Sequence, residues 1–117
     1  MISLPPTVKI FLSTQPADMR KSFDGLKSLV EEFLEDDPLS GHLFVFRNRR
    51  GDRLKILYWD RDGLAIWYKR LEAGTFVFPN AIDENAGIEV EPTELAMLLD
   101  GVDLASVRRR KRYRRNI

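Results

Sequence analysis

Residues 43–71 read LFVFRNRRGDRLKILYWDRDGLAIWYKRL and decide the fold of this 117-residue chain. Three runs rich in Val, Ile, Phe, Tyr and Trp, at residues 43–47, 53–59 and 64–71, are separated by polar turns that contain glycine. Short β-branched and aromatic runs bounded by such turns are typical of β-hairpins. The stretch therefore predicts an antiparallel β-meander of three strands, and residues 75–78, which precede Pro79, predict a fourth strand.

The side-chain period of two fixes which meander residues share a face, provided that both turns have an even number of residues. One face then carries Lys55, Leu57 and Trp59 with Leu64, Ile66 and Tyr68, and the other carries Leu54, Ile56 and Tyr58 with Ala65, Trp67 and Lys69. Both faces are aromatic and mostly apolar, which is usual for core strands. An alternative is that part of an aromatic surface, edged by Lys55, Lys69 and Arg70, stays open to stack bases or to dock a protein.

The flanking segments predict two more strands and two helices. Residues 7–12 predict a strand, and Asp18 is the expected N-cap of an amphipathic helix that ends near residue 35, before Asp36, Asp37 and Pro38. Residues 88–90 predict a short edge strand, followed by a helix that begins at Pro92 and is capped by Gly101. We therefore expect one α+β domain at residues 1–107, built on an antiparallel β-meander sheet with two helices.

The composition offers little for catalysis. The chain has no cysteine and one histidine, so it lacks disulfides, thiolate nucleophiles and Cys-rich zinc sites. Asp60 and Asp62 are explained as turn residues that bond their own backbone, and His42 as a polar residue at a strand end. A two-metal nuclease would need Asp18 and Asp24 to converge with Asp60 and Asp62. We expect no enzyme activity, no catalytic residue, no metal and no cofactor.

No apolar run is long enough to cross a membrane, and residues 1–6 lack the features of a secretory signal, so a cytoplasmic location without membrane contact is expected.

The charge is divided between two parts of the chain. Residues 108–115 carry seven of the 19 basic residues and no acidic one, which leaves 12 basic and 18 acidic residues, a net charge of −6, on the rest. Residues 108–117 form a basic tail that we expect to be disordered without a partner and to bind nucleic-acid phosphates. Its candidate residues are Arg108, Arg109, Arg110, Lys111, Arg112, Tyr113, Arg114 and Arg115.

The first turn of the meander is a second basic segment. Arginines in a hairpin tip can grip phosphates or enter a DNA groove, and the candidates here are Arg49, Arg50, Arg53 and Lys55. An ordinary solvated turn would account for the same residues, and the sequence leaves both interpretations open.

Several segments together resemble one family. DMRKSFDGL at 18–26, GHLFVFR at 41–47, RGDRLK at 50–55, YWDRDG at 58–63, WYKRLE at 67–72 and LAMLLDG at 95–101 are similar, in the same order, to accessory proteins of the insertion sequence 66 family. The resemblance covers roughly residues 2 to 104. It implies a small accessory factor for DNA transposition that is encoded beside a larger transposase, and it implies no catalytic residue in this chain.

Two functions agree with this resemblance. In the first, the domain binds DNA at the element's ends through its basic turn and tail. In the second, the domain is a protein-interaction module that docks the transposase, and only the tail contacts DNA. Partner-binding candidates are Arg20, Lys21, Trp59 and Trp67, although Arg20 and Lys21 also suit ordinary helix ion pairs with Asp24. Homo-oligomerisation is left open.

Overall fold

The three-stranded meander forms as the sequence predicts. In the computed structural model, which describes residues 7–79 and 86–101, its strands are β2 (Leu43–Arg47), β3 (Arg53–Asp60) and β4 (Gly63–Arg70). Lys55 lies opposite Tyr68 and Ile56 lies opposite Trp67, so the predicted division of residues between the two faces is confirmed. Two residues, Arg61 and Asp62, connect β3 to β4, and this even number keeps the alternation of the faces in phase.

The sheet is mixed, which corrects the expectation of a purely antiparallel one. The strands β1 (Ile10–Ser13) and β5 (Gly87–Val90) extend the sheet to the order β4-β3-β2-β1-β5. β1 runs parallel to β2 and antiparallel to β5. Parallel neighbours need a long crossover, and the helical segment between β1 and β2 supplies it. The α+β class is confirmed, and β5 is an edge strand as predicted.

The first helix begins one turn later than predicted. α1 spans Phe23–Ser28 and continues as a π-helical turn at Leu29–Phe33, with Ser22 rather than Asp18 at its N-cap. The Asp18 carboxylate instead accepts the backbone N–H of Arg20 at 2.9 Å. Residues 18–21 lie outside the helix in a turn closed by the bond from the Lys21 N–H to the Asp18 carbonyl, and the Lys55 ammonium donates to the carbonyls of Met19 and Lys21.

Residues 75–78 do not form the predicted strand. They cross one face of the sheet, where Phe76 and Phe78 are buried, and the Phe76 N–H bonds the Gly51 carbonyl at 2.7 Å. Their side chains therefore fill the core without adding a strand to the sheet.

Each face of the sheet has its own cover. α1 and the π-helical turn pack on the face of Phe44, Phe46 and Leu57, where Leu26 of α1 and Val30 of the π-helical turn are buried. The second helix, α2 (Pro92–Leu99), packs with residues 76–78 on the face of Val45 and Ile56. α2 matches the prediction: Pro92 lies in its first turn, and Gly101 follows its end with a φ of 87°. No helix of the described residues is long and apolar enough to span a bilayer.

Candidate nucleic-acid interface

The turn between β2 and β3 is held by its own side chains. The Asn48 amide donates to the Asp52 carboxylate at 2.6 Å, and the Asn48 side-chain oxygen accepts the Arg53 N–H at 3.0 Å. Gly51 has a φ of 79° and is buried against Thr75, so a side chain there would be strained and crowded. These contacts give the turn a defined shape and leave Arg49 and Arg50 exposed at its tip.

The segment before α1 is fastened beside this turn. The Ala17 N–H bonds the Arg47 carbonyl at 2.8 Å. From the sheet below, the Lys55 ammonium donates to the carbonyls of Met19 at 2.9 Å and Lys21 at 2.8 Å. Hydrogen bonds to a charged donor are stronger than neutral ones, so the position of residues 17–21 depends on Lys55.

A groove of about 530 Å³ separates the two segments. It is lined by Pro16, Ala17, Asp18, Met19, Arg20, Asn48, Arg49, Arg50, Asp52 and Arg53. We call it the arginine groove. It unites Arg20, which was predicted to contact a protein partner, with three arginines that were predicted to contact nucleic acid.

The two carboxylates that line the groove accept hydrogen bonds from other groove residues. The Arg20 guanidinium donates to both Asp18 oxygens, at 2.7 Å in the shortest contact, and these bonds lower the Asp18 pKa from 3.8 to about 2. The Asp52 pKa is lowered by the hydrogen bond from Asn48 and by the positive charges of Arg50 and Arg53. Both carboxylates are therefore ionised at neutral pH, and four arginines outnumber them.

The arginines of the turn differ in whether their N–H donors are already hydrogen-bonded. Within the described part of the chain, Arg49 and Arg50 form no hydrogen bond or ion pair. Arg53 donates to the Tyr68 hydroxyl at 3.3 Å. Guanidinium groups with unoccupied N–H donors are suited to bidentate recognition of phosphate oxygens.

Tyr68 adds an aromatic group beside the groove. Its side chain is 46% exposed, and the Lys55 ammonium lies 4.7 Å from the centre of its ring. An exposed ring next to arginines is the combination that proteins use to stack a base while they hold its phosphate.

Not every predicted site residue lies at the groove. Lys55 is 7% exposed and bonded to two carbonyls, so it shapes the groove from below and does not face solvent. Trp67 is half-buried against the core under α2, and Trp59 is half-buried opposite Leu64. Lys21 is exposed next to the groove. The tail residues Arg108 to Arg115 lie outside the described residues.

The sequence did not predict the roles of Asp18 and Asn48 in the groove. Asp18 was interpreted as a helix cap or as one carboxylate of a two-metal nuclease, and Asn48 as part of a turn. Tyr68 was placed on the same sheet face as Lys55, where an open aromatic surface was one of two alternatives. The Asn48-x-x-Gly51-Asp52 pattern is a turn signal that identifies the network around Asn48. No local pattern places Asp18 at the groove, because contacts between distant segments bring it there, whereas the register of the meander places Tyr68 beside Lys55.

The other chemical candidates have structural positions. His42 accepts the Lys9 N–H at 2.9 Å through Nδ1 and lies edge-on to Phe11, as expected of a strand-end residue. Among residues 7–79 and 86–101, no group of three or more His, Cys, Asp or Glu side chains has the arrangement of a metal site. The Arg47 guanidinium lies 4.7 Å from the Phe78 ring centre. Burial lowers the pKa of Arg47.

Comparisons with known proteins agree with the resemblance noted in the sequence. The chain is 39% identical over 110 residues to the uncharacterized protein y4jC of Sinorhizobium fredii (strain NBRC 101917 / NGR234), covering 94% of this chain and 92% of that one. It is 40% identical over 103 residues to y4hO of the same organism, with 88% of each chain covered. No solved structure matches significantly. The family model described as IS66 Orf2 like protein matches residues 8–109, and the chain therefore belongs to this family of insertion-sequence accessory proteins.

Proposed function

We propose that this protein binds DNA during transposition of its insertion sequence, through the arginine groove and the basic tail, without catalysing strand transfer itself. The chain belongs to an accessory family of insertion sequences, which supports transposition as the process in which it acts. The observation that carries the DNA-binding part is the groove, where Arg49 and Arg50 are exposed on a turn of defined shape.

The two basic parts have different tasks in this proposal. The tail provides phosphate affinity that does not depend on sequence, because its seven charges release counterions from any duplex. The groove orients the domain, because its turn is held by Asn48 and its opposite wall by Lys55. Contacts to phosphates from a fixed scaffold set the register of a protein on DNA.

The test is a charge reversal in the full chain. Arg49→Glu together with Arg50→Glu is expected to weaken binding to a duplex of the element's end more than binding to a scrambled duplex, because the base contacts that depend on the register set by the groove are lost with it. If both arginines contact phosphates, the slope of log affinity against log salt becomes shallower by about 2. Fluorescence anisotropy at several salt concentrations measures both quantities.

The matched control carries the same charge change elsewhere. Lys9→Glu with Lys27→Glu reverses two positive charges that lie outside the groove and outside β4. It should leave the preference for the element's end unchanged. If the groove variant and this control reduce DNA binding equally, the groove has no specific part in it.

Docking of the transposase is the second candidate function. Phe23, which is 45% exposed on the first turn of α1, lies close in sequence to Arg20 and Lys21 and favours it. In that case the groove variant keeps its DNA affinity, and Phe23→Ser abolishes co-purification with the element's transposase.

A further inference from the structure

The strand β4 has an outer side that no other described strand covers. It is the first strand in the order β4-β3-β2-β1-β5 and, with eight residues, one of the two longest strands. Within residues 7–79 and 86–101, its only strand partner is β3. Exposed edges of this length readily pair with another strand.

The register shows which backbone groups point outward. Leu71 donates its N–H to the Asp52 carbonyl at 2.7 Å, next to the end of the β3–β4 ladder. Hydrogen-bonded and non-hydrogen-bonded residue pairs alternate along an antiparallel ladder. Because Leu71 belongs to a bonded pair, the other odd-numbered residues of β4 also bond to β3. The N–H and C=O groups of Leu64, Ile66, Tyr68 and Arg70 therefore face the open edge.

The side chains of β4 are also incompletely covered. None of its eight residues is buried, whereas Leu54, Lys55, Ile56 and Leu57 of the neighbouring β3 all are. Leu64, Ile66 and Trp67 contact the two core clusters and remain half-buried. A strand with this apolar centre gains from further burial along its edge.

The charges of the edge select one kind of partner. The tip before β4 carries Asp60 and Asp62 on either side of Arg61, and the end of β4 carries Lys69 and Arg70. A second copy that pairs antiparallel places its acidic tip beside the basic end of the first. A parallel arrangement would place like ends together, which is destabilising.

We propose that two copies of this chain pair through β4, antiparallel and centred on Ile66, to form a continuous ten-stranded sheet. In this register Ala65 lies opposite Trp67 of the other copy and Leu64 opposite Tyr68, so a small residue meets a large one and an aliphatic one meets an aromatic one. Asp62 lies opposite Arg70. Arg70 is bonded to Glu72 within its own chain at 3.0 Å. Both groups are exposed, so replacing Glu72 by Asp62 of the other copy as the partner of Arg70 costs little.

The experiment reverses the charge of Asp62 or of Arg70 in the full chain and then mixes the two variants. The unchanged protein is expected to form a dimer, at twice the 13.6 kDa mass of the chain, in sedimentation equilibrium. Asp62→Arg alone and Arg70→Glu alone each create two repulsive pairs per dimer and should raise the dissociation constant roughly tenfold or more. Mixing the two variants restores both attractive pairs, so the mixture should dimerise like the unchanged protein.

The control is Glu89→Arg, which reverses an exposed charge on β5 at the opposite edge of the sheet and should leave dimerisation unchanged. Circular dichroism checks that each variant is folded. An unchanged chain that is monomeric overturns the proposal, as does a dimer that both single variants leave intact.

Hydrogen exchange gives a second readout that does not depend on a variant. The amides of Leu64, Ile66 and Tyr68 face outward, so β3 does not protect them, and they should exchange slowly only in the dimer. The amides of Ala65 and Trp67 bond to β3 and serve as the internal reference. Fast exchange at the three outward amides, in samples that sediment as dimers, would place the interface elsewhere and overturn the proposal.

Discussion

Lys55 links the sheet to the arginine groove. Its stem crosses the face of the sheet under α1, and its ammonium ends on two carbonyls of the segment before the helix. A charged side chain is rarely buried unless its donors are satisfied, and here Met19 and Lys21 provide the acceptors. The groove wall is therefore held by a residue that does not line it.

Lys55→Met should destabilise the fold by about 2–3 kcal/mol, because it removes two charge-assisted hydrogen bonds and leaves two carbonyls without that donor. Urea denaturation measures the change. The matched control is Lys9→Met, outside both the groove and β4, where the side chain is exposed and the effect should stay within about 0.5 kcal/mol. Equal losses in the two variants would contradict the bracing role of Lys55.

Asp18 gives the groove a dependence on pH. Its pKa in the folded protein, about 2, is below its ordinary value of 3.8, so the ionised carboxylate favours the folded state. This contribution is fully present above about pH 4 and is lost as the pH falls through 2.

The stability difference between the unchanged protein and Asp18→Asn should therefore be constant from pH 7 to about 5 and shrink towards pH 2. Urea denaturation at a series of pH values measures it. Titration of the Asp18 carboxyl by NMR should give a midpoint near 2, and a midpoint at its ordinary value would show that Arg20 does not hold the carboxylate in solution.

At the scale of elements, α1 depends on a glycine in its interior. A Cβ added to Gly25 would lie 3.0 Å from Cβ and Cγ of Lys21. The Lys21 carbonyl is bonded to Lys55, so the backbone that carries this Cβ is held, and Lys21 has to shift by a few tenths of an ångström to admit a methyl group. Any side chain at position 25 would therefore press against Lys21.

Gly25→Ala should therefore lower stability by about 1 kcal/mol, although alanine is normally favoured over glycine in a helix by a similar amount. Ser28→Ala, at an exposed position of the same helix, should follow propensity and raise stability by a few tenths of a kcal/mol. Thermal unfolding of both variants measures the contrast. A stabilised Gly25→Ala variant would show that Lys21 yields easily.

The elements that the sequence predicts well are those with local signals. The meander and its faces follow from alternation and from turns of known length, and α2 follows from Pro92 and Gly101. The parallel pairing of β1 with β2 has no local signal, because a strand pattern does not name its neighbour. The segment before the late start of α1 is bonded to Lys55, which is 34 residues from Lys21 in the chain, so local periodicity does not report it.

The groove was predictable in parts and not as a whole. The exposed arginines of the turn follow from composition, and their position at the tip is as expected. Their proximity to Asp18 and Arg20 depends on the bond between Ala17 and Arg47, which joins segments far apart in sequence. Local periodicity does not encode such a contact.

The whole molecule combines an acidic body with positive charge concentrated in the arginine groove and the basic tail. The net charge of −6 on the chain without residues 108–115 repels a duplex in general, so close approach requires concentrated positive charge. The turn of β2 and β3 supplies one such place. In the proposed DNA complex, the acidic body therefore disfavours orientations in which the groove does not contact the duplex.

The open edge of β4 has a geometric consequence for the arginine groove. A two-fold axis through Ile66 of the proposed dimer runs perpendicular to the sheet, so both grooves open on the same side. With ordinary strand rise and spacing, the two Arg53 positions lie about 30 Å apart. This is close to one turn of B-form DNA, roughly 34–36 Å. The pair of grooves would thus meet one side of a straight duplex at two inverted half-sites a single helical repeat apart.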